Sequence, residues 1–170
     1  MCVKVLSEVK NLTKYVFGVI FSHKFNFKIR YFRNRFRGKL DKEMFFVDKL
    51  LDNRRRFVDV GGNVGFYSYH FKDKFASIEV FEPVFEVIEG LSLAKFKNIK
   101  VHNCGLSNVS GRDRVSIPLV GGKRIISQSS LEDIESECKT IEVEVFCLDH
   151  FNFLDVDLIK IDVEGHEYNV

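Results

Sequence analysis

The chain has 170 residues, of which 45% are hydrophobic and 29% charged, and only two prolines. This composition predicts one folded domain and excludes a disordered or low-complexity protein. The net charge of +2 conceals an asymmetry, because residues 1–40 carry ten Lys/Arg against one acid, Glu8, whereas the remainder is acidic. The longest apolar run near the start, Tyr15 to Phe21, is too short to span a bilayer and is not followed by a clear cleavage site.

The four cysteines form no C-x-x-C pair and no even ladder, which favours neither a metal site nor a disulfide framework. We therefore expect reduced thiols in a cytoplasmic protein. These cysteines are Cys2, Cys104, Cys138 and Cys147.

A basic amphipathic helix is predicted within residues 1–43, which we treat as an N-terminal extension to a domain over residues 44–170. One face carries Phe25, Ile29, Phe32 and Phe36, and another carries Arg30, Arg33 and Arg37. We favour packing of the phenylalanine stripe on the domain with solvated arginines. The alternative is a surface helix that contacts anionic lipid or a phosphate-bearing substrate.

The rest of the chain alternates between helical and strand patterns. A helix over Asp41 to Asp52 is expected first, and the stretch from Val109 to Ser129 is the least regular. Alternating strands and helices predict an α/β fold with a mostly parallel sheet. The predicted strands are Phe57 to Val60, Ile78 to Phe81, Ile99 to Cys104, Val115 to Pro118, Thr140 to Leu148 and Leu158 to Val163.

The first chemistry-bearing motif is V-D-V-G-G-N-V-G-F-Y-S at residues 58–68, a glycine-rich turn between a strand and a helix. Such a turn lets a ligand approach the backbone. Dinucleotide binders place glycines at i, i+2 and i+5, which here are Gly61, Asn63 and Phe66, so a nicotinamide oxidoreductase is disfavoured. Asp59, two residues before Gly61, instead resembles class I methyltransferases. A generic turn capped by Asp59 is the alternative.

The second motif places Glu82 at the end of a strand, 21 residues after Gly61. An acid at that distance is placed to accept the ribose hydroxyls of an adenosine ligand. An acidic cap before Pro83 fits the same position.

The third motif, L-I-K-I-D-V-E-G-H-E from Leu158, delivers Asp162 and Glu164 to the carboxyl end of the sheet. A carboxylate there could orient or deprotonate a substrate hydroxyl, or help to hold a divalent ion. The alternative is a buried Asp that caps backbone amides. For His166 we favour a structural role.

These motifs, with V-F-E-P, N-I-K-V-H-N-C-G-L-S-N-V-S-G, S-Q-S-S-L and C-L-D-H-F in chain order, resemble the FkbM methyltransferases from about Met44 to Glu167. The resemblance implies a Rossmann-like class I fold that uses S-adenosylmethionine, usually to O-methylate a sugar hydroxyl in a glycan, glycolipid or natural product. It implies that Asp59, Gly61, Gly62 and Asn63 line the methionine end, Glu82 holds the ribose, Asn103 lies near the adenine, and Asp162, assisted by Glu164, lies at the transfer site. Gly62 and Gly105 stand where the family more often has Ala.

Family members continue beyond the V-E-G-x-E segment with a helix and further strands, whereas this sequence stops at Val170. We therefore expect missing C-terminal strands, an uncovered edge on the Asp162 strand, and a tendency to associate. The alternative to an enzyme is a non-catalytic remnant or partner-binding module of the same fold. No nucleic-acid partner is expected; metal dependence, a homo-oligomer and the identity of the acceptor stay open.

Overall fold

The computed structural model describes residues 22–47, 49–121, 123–124, 129–132 and 137–170. No helix among these residues is both long enough and apolar enough to cross a membrane. Cys2 and the apolar run from Tyr15 lie outside the described residues. Of the other three cysteines, all free thiols, Cys104 is buried, and Cys138 and Cys147 are half-buried. The helices are α1 (His23–Phe36), α2 (Met44–Val47), α3 (Phe66–Phe71) and α4 (Phe85–Ala94), with 3-10 turns at Leu148–Phe151 and Glu167–Asn169.

In the described part of the chain, eight strands form two sheets. They are β1 (Arg56–Val60), β2 (Ser77–Phe81), β3 (Ile99–His102), β4 (Gly105–Leu106), β5 (Gly111–Val120), β6 (Lys123–Arg124), β7 (Cys138–Phe146) and β8 (Val156–Ile161).

The first sheet has the order β3-β2-β1-β8, and every neighbouring pair is parallel, which confirms the predicted α/β class. The chain passes from β1 to β2 and β3 on one side and then returns to β8 on the other side of β1. Such a reversal leaves a crevice at the carboxyl ends of the strands, where ligands of open α/β sheets bind. Within the described residues β8 pairs with β1 only, and its Ile159 and Ile161 are exposed.

Both faces of the first sheet are covered in its centre. Phe57 and Ile78 belong to one buried cluster with side chains of α3 and α4. Val58, Val60 and Phe81 belong to another, with side chains of β4 and of the Leu148–Phe151 turn. All five side chains are at most 1% exposed. Burial on both faces explains why β1 and β2 are mostly apolar, as parallel central strands usually are, although each contains one buried acid, Asp59 in β1 and Glu79 in β2.

The second sheet, in the order β4-β7-β5-β6, is mixed, with β5 antiparallel to both β7 and β6. The strand predicted over Val115 to Pro118 is confirmed, but it is longer than predicted, because β5 runs from Gly111 to Val120. The expectation of a least regular stretch from Val109 to Ser129 is therefore wrong over the rest of β5. Val115 and Ile117 are buried, and the adjoining Arg112 and Arg114 are exposed. The ladder with β7 continues the strand through residues whose own strand preference is low, because strand formation depends on the partner strand.

The face of α1 that packs on the domain is not the predicted one. Phe27 and Tyr31 are each 3% exposed, whereas the stripe of Phe25, Ile29, Phe32 and Phe36 is 37–87% exposed. Phe27 enters an aromatic cluster, with ring centroids 5.2 to 6.1 Å from those of Tyr69, Phe66 and Phe96. The Tyr31 hydroxyl lies 2.6 Å from His70 Nδ1. A buried Tyr needs such a partner, which favours this face over the all-apolar stripe.

The helix predicted over Asp41 to Asp52 is also too long. Only the four residues of α2 are helical, Met44 is buried at 2%, and Leu50 is 80% exposed. A short helix needs a packed apolar face for its stability, and here only one residue of α2 is buried.

Candidate functional site

The turn after β1 is shaped by close protein neighbours. Gly61 has a φ of +71°, and a Cβ there would lie 1.9 Å from the Asp162 carbonyl oxygen. A Cβ on Gly62 would lie 2.2 Å from Val80 Cγ1, so the Ala common at this position in the family would require Val80 to move. The Gly61 and Gly62 amides both donate to the Phe81 carbonyl at 3.0 Å. These two glycines therefore let β8 and β2 approach the turn closely.

Asp59 lies beneath this turn and is fully buried. Its Oδ2 accepts a hydrogen bond of 2.6 Å from the Ser68 hydroxyl, and its Oδ1 lies 3.4 Å from Lys160 Nζ. Burial raises the pKa of Asp59, and the charge of Lys160 and the Ser68 hydrogen bond oppose that rise. Asp59 lines neither of the two clefts described below, so the structure places it as an anchor under the turn.

Lys160 is the residue that the sequence analysis missed. Its ammonium donates to the Gly61 carbonyl at 2.8 Å and also lies 3.3 Å from Asp162 Oδ2. One cation thus joins Asp59, the turn and the end of β8. A lysine inside the apolar strand V-D-L-I-K-I was the available signal, because a mostly buried lysine requires paired carboxylates.

Glu82, at the end of β2, is 6% exposed and bridges two backbone segments. Its Oε2 accepts from the Asn63 amide at 2.9 Å and its Oε1 from the Val84 amide at 3.0 Å. Burial raises the pKa of this carboxyl, opposed first by the two amide hydrogen bonds. Glu82 caps the chain near Pro83 and also borders a cleft, so both predicted roles are sterically compatible.

That cleft, here called the acidic cleft, has a volume of about 590 Å³ with its open mouth and lies at the carboxyl ends of β1, β2 and β8. Its charged lining residues are Glu82, Asp162 and Glu164, and no Lys or Arg of the described chain lines it. The backbone turn contributes Gly61 and Asn63, and apolar side chains including Leu106 and Val87 form the walls.

Asp162 and Glu164 reach this cleft by different routes. The Asp162 amide continues the β1–β8 ladder by donating to the Val60 carbonyl at 3.1 Å, and its side chain is 63% exposed. Glu164 lies in a turn with a φ of +52°, where Ser130 Oγ donates to its carbonyl at 2.7 Å. The strand ends at Ile161, so strand alternation does not bring the two carboxylates together. Ser130, with its neighbours, forms the facing wall.

Besides Asp59, the predicted site residue Asn103 lies outside the lining, and so does His166, for which a structural role was predicted. Asn103 Nδ2 donates to the Glu82 and Pro83 carbonyls, each at 2.9 Å, so its side chain fixes the loop after β2. His166 is buried, with Nδ1 2.6 Å from Glu132 Oε1 and Nε2 3.1 Å from the Ser107 hydroxyl. These contacts give His166 a structural setting.

A second cleft, here called the basic cleft, opens between α1 and the glycine turn and has a volume of about 1120 Å³ with its mouth. Asn63 and Asp162 line both clefts, so the two meet there. Among the described residues, no group of three or more His, Cys, Asp or Glu side chains is arranged to hold a metal ion. The basic cleft carries Arg30, Arg33, Lys39 and Lys160, with Asp41 and Asp162 as its acids.

The fold is that of an α/β protein with a cleft at the switch point of a parallel sheet. The family model described as the methyltransferase FkbM domain matches residues 59–170. The chain belongs to the FkbM methyltransferase family.

Two relatives were found. The chain is 28% identical over 165 residues to "Methyltransferase 1" of Beauveria bassiana (strain ARSEF 2860), a match that covers 77% of this chain and 64% of that protein. The crystal structure of methyltransferase FkbM from Methylobacillus flagellatus KT matches with a TM-score of 0.46 and 20% identity, over 68% of this chain and 28% of that one. The chain thus spans under two thirds of the length of either.

We predict that Lys160→Met lowers the free energy of unfolding by about 3–5 kcal/mol at neutral pH, because it leaves the buried Asp59 without its cation. The loss should shrink as pH falls through the raised pKa of Asp59, since the protonated carboxyl needs no partner. Urea unfolding across acidic and neutral pH measures both effects.

The matched control is Arg55→Met, which removes a cation whose side chain is 59% exposed in its pair with Asp157. A much smaller effect is expected there, because exposed ion pairs contribute little. Equal losses in the two variants, or a loss in Lys160→Met that does not vary with pH, would contradict this assignment.

Proposed function

We propose that this chain is an S-adenosylmethionine-dependent O-methyltransferase domain whose cofactor binds in the acidic cleft. The observation that carries the proposal is the charge of that cleft: three carboxylates and, in the described chain, no Lys or Arg. S-adenosylmethionine carries a sulfonium and an ammonium, both cationic, so this cleft attracts it. The phosphates of a dinucleotide would be repelled by the same carboxylates.

The residues present fit this ligand. Glu82 stands at the end of β2 with its carboxylate fixed by two amides, and each oxygen keeps a further lone pair for a ribose hydroxyl. Gly61 and Asn63 would border the methionine end, and Leu106 would contact the adenine. When bound, S-adenosylmethionine supplies a methyl group on a positively charged sulfur, which a hydroxyl oxygen can displace.

Asp162 is the residue proposed to act on the acceptor. Its carboxylate lies where the two clefts meet, and Lys160 Nζ, 3.3 Å from Oδ2, restricts its position. An acceptor hydroxyl in the basic cleft would donate its proton to an Asp162 carboxylate oxygen as the hydroxyl oxygen attacks. Glu164, at the same edge of the acidic cleft, assists by charge. By analogy with the family, the acceptor is a sugar hydroxyl of a glycan, glycolipid or natural product.

Titration calorimetry with S-adenosylmethionine and with NAD tests the cofactor. We expect binding of the first and none detectable of the second. Glu82→Ala should weaken S-adenosylmethionine binding by about 1–3 kcal/mol, through loss of charged hydrogen bonds. The control is Glu89→Ala, an exposed acid on α4 outside the cleft.

Glu82→Ala also removes the acceptor for the Asn63 and Val84 amides. Thermal unfolding and Glu82→Gln, which keeps one carbonyl acceptor, therefore accompany the titration. Unchanged affinity in a folded Glu82→Ala variant would refute the ribose role, and preference for NAD would refute the cofactor.

Methyl transfer to the best acceptor from a panel of hexoses and hexose phosphates tests Asp162. Asp162→Asn should lower kcat by about 10²–10⁴-fold, the usual contribution of a general base. Asp149→Asn, an exposed carboxylate outside both clefts, should leave kcat unchanged. An Asp162→Asn enzyme with full kcat would exclude the general-base role.

A further inference from the structure

The α1 wall of the basic cleft carries cations that form no ion pair with a described residue, although Asp41 also lines the cleft. Arg30 and Arg33 are three residues apart on α1, so they share a face of the helix. Both line the cleft, as does Lys39 at its rim. In the described part of the chain no ion pair joins any of these three to an acid, whereas Lys160 on the far side is paired with Asp162.

The guanidinium of Arg30, a solvent-accessible residue of α1, contacts an aromatic ring. It lies 5.6 Å from the centroid of the Phe66 ring, a cation–π contact, and Asn34 Nδ2 donates to the Arg30 carbonyl at 2.8 Å. The helix beneath it is anchored by Phe27, whose ring packs edge-on against the same Phe66. Burial, and then the charge of Arg33, lower the pKa of Arg30 from its ordinary value. Two neighbouring guanidinium groups that line one cleft repel each other, and an anion between them would relieve that repulsion.

A planar guanidinium fork matches the oxygens of a phosphate better than an ammonium does. Arg30 and Arg33 line the same cleft as Asp162. The proposed function makes Asp162 the base that accepts the proton of the acceptor hydroxyl. We propose that the basic cleft binds a phosphate group carried by the methyl acceptor, with Arg30 and Arg33 as its ligands. That the methyl acceptor carries this phosphate rests on the proposed function, whereas the phosphate site itself does not. The phosphate could belong to a soluble sugar phosphate or to a lipid headgroup.

The test compares two double variants of α1 with the same change in charge. Arg30→Gln with Arg33→Gln removes both proposed ligands, and Lys28→Gln with Arg37→Gln removes two exposed cations of the same helix outside the basic cleft. Each protein is titrated with glucose 6-phosphate, with glucose and with S-adenosylmethionine. Each is also sedimented with vesicles of phosphatidylcholine containing phosphatidylglycerol.

We expect the parent to bind glucose 6-phosphate more tightly than glucose. The Arg30/Arg33 variant should lose about tenfold or more of that affinity, whereas the Lys28/Arg37 variant keeps it. If vesicle binding is instead the property lost only in the Arg30/Arg33 variant, the phosphate is that of a lipid headgroup. Either pattern supports the site.

Two results overturn the site: no binding of glucose 6-phosphate or vesicles by the parent, or equal losses in both double variants, which would indicate bulk charge. The S-adenosylmethionine titration separates this outcome from failure of the proposed function. A protein that binds the phosphate but not S-adenosylmethionine keeps the site and loses the methyltransferase assignment. If S-adenosylmethionine binds equally to all variants and no phosphate binds, the phosphate site is refuted and the methyltransferase assignment stands.

Discussion

A single buried ion pair organises this site. Asp59 is completely removed from solvent, and a carboxylate in that position is costly unless it is paired and hydrogen-bonded. Ser68 from α3 and Lys160 from β8 meet that requirement. The same lysine holds the Gly61 carbonyl, so the strand order that places β8 beside β1 also fixes the turn. Lys160 also contacts Asp162. The lysine that pairs with the buried Asp59 therefore also positions the exposed carboxylate of Asp162.

From this centre the charges separate into two clefts. Carboxylates without Lys or Arg line the acidic cleft, in which a cationic methyl donor would be stabilised. Arginines of α1 line the basic cleft, in which an anionic acceptor would be stabilised. The two clefts touch only at Asn63 and Asp162 in the described lining. Opposite electrostatic preferences would direct each ligand to its own side, with the reacting atoms brought together at the junction.

The sequence predicted well what depends on local spacing. The glycine turn after β1, the acid at the end of β2 and the carboxylate after β8 are set by strand ends, and a parallel sheet brings strand ends to one edge. Contacts between segments that are distant in the sequence could not be predicted from spacing. The role of Lys160 depends on the pairing of β8 with β1. That pairing brings Lys160 to the Gly61 carbonyl, although the two residues are 99 positions apart in the sequence.

The errors have the same origin. Two apolar stripes on α1 have helical spacing, and only the position of Phe66, Tyr69 and His70 decides that Phe27 and Tyr31 are the buried pair. Likewise β5 is a strand because β7 pairs with it. Ser130 gained its place in the cleft from a hydrogen bond to the Glu164 turn, which no spacing in the sequence reveals.

The central claim is that the acidic cleft holds the methyl donor. Hydrogen–deuterium exchange of the chain with and without saturating S-adenosylmethionine tests it most directly, because bound ligand slows exchange in the segments it covers. The account predicts slower exchange at residues 61–65, 82–87 and 105–106, which border the acidic cleft, and unchanged exchange along α1. Slower exchange along α1 without a change at 82–87 and 105–106 would contradict it.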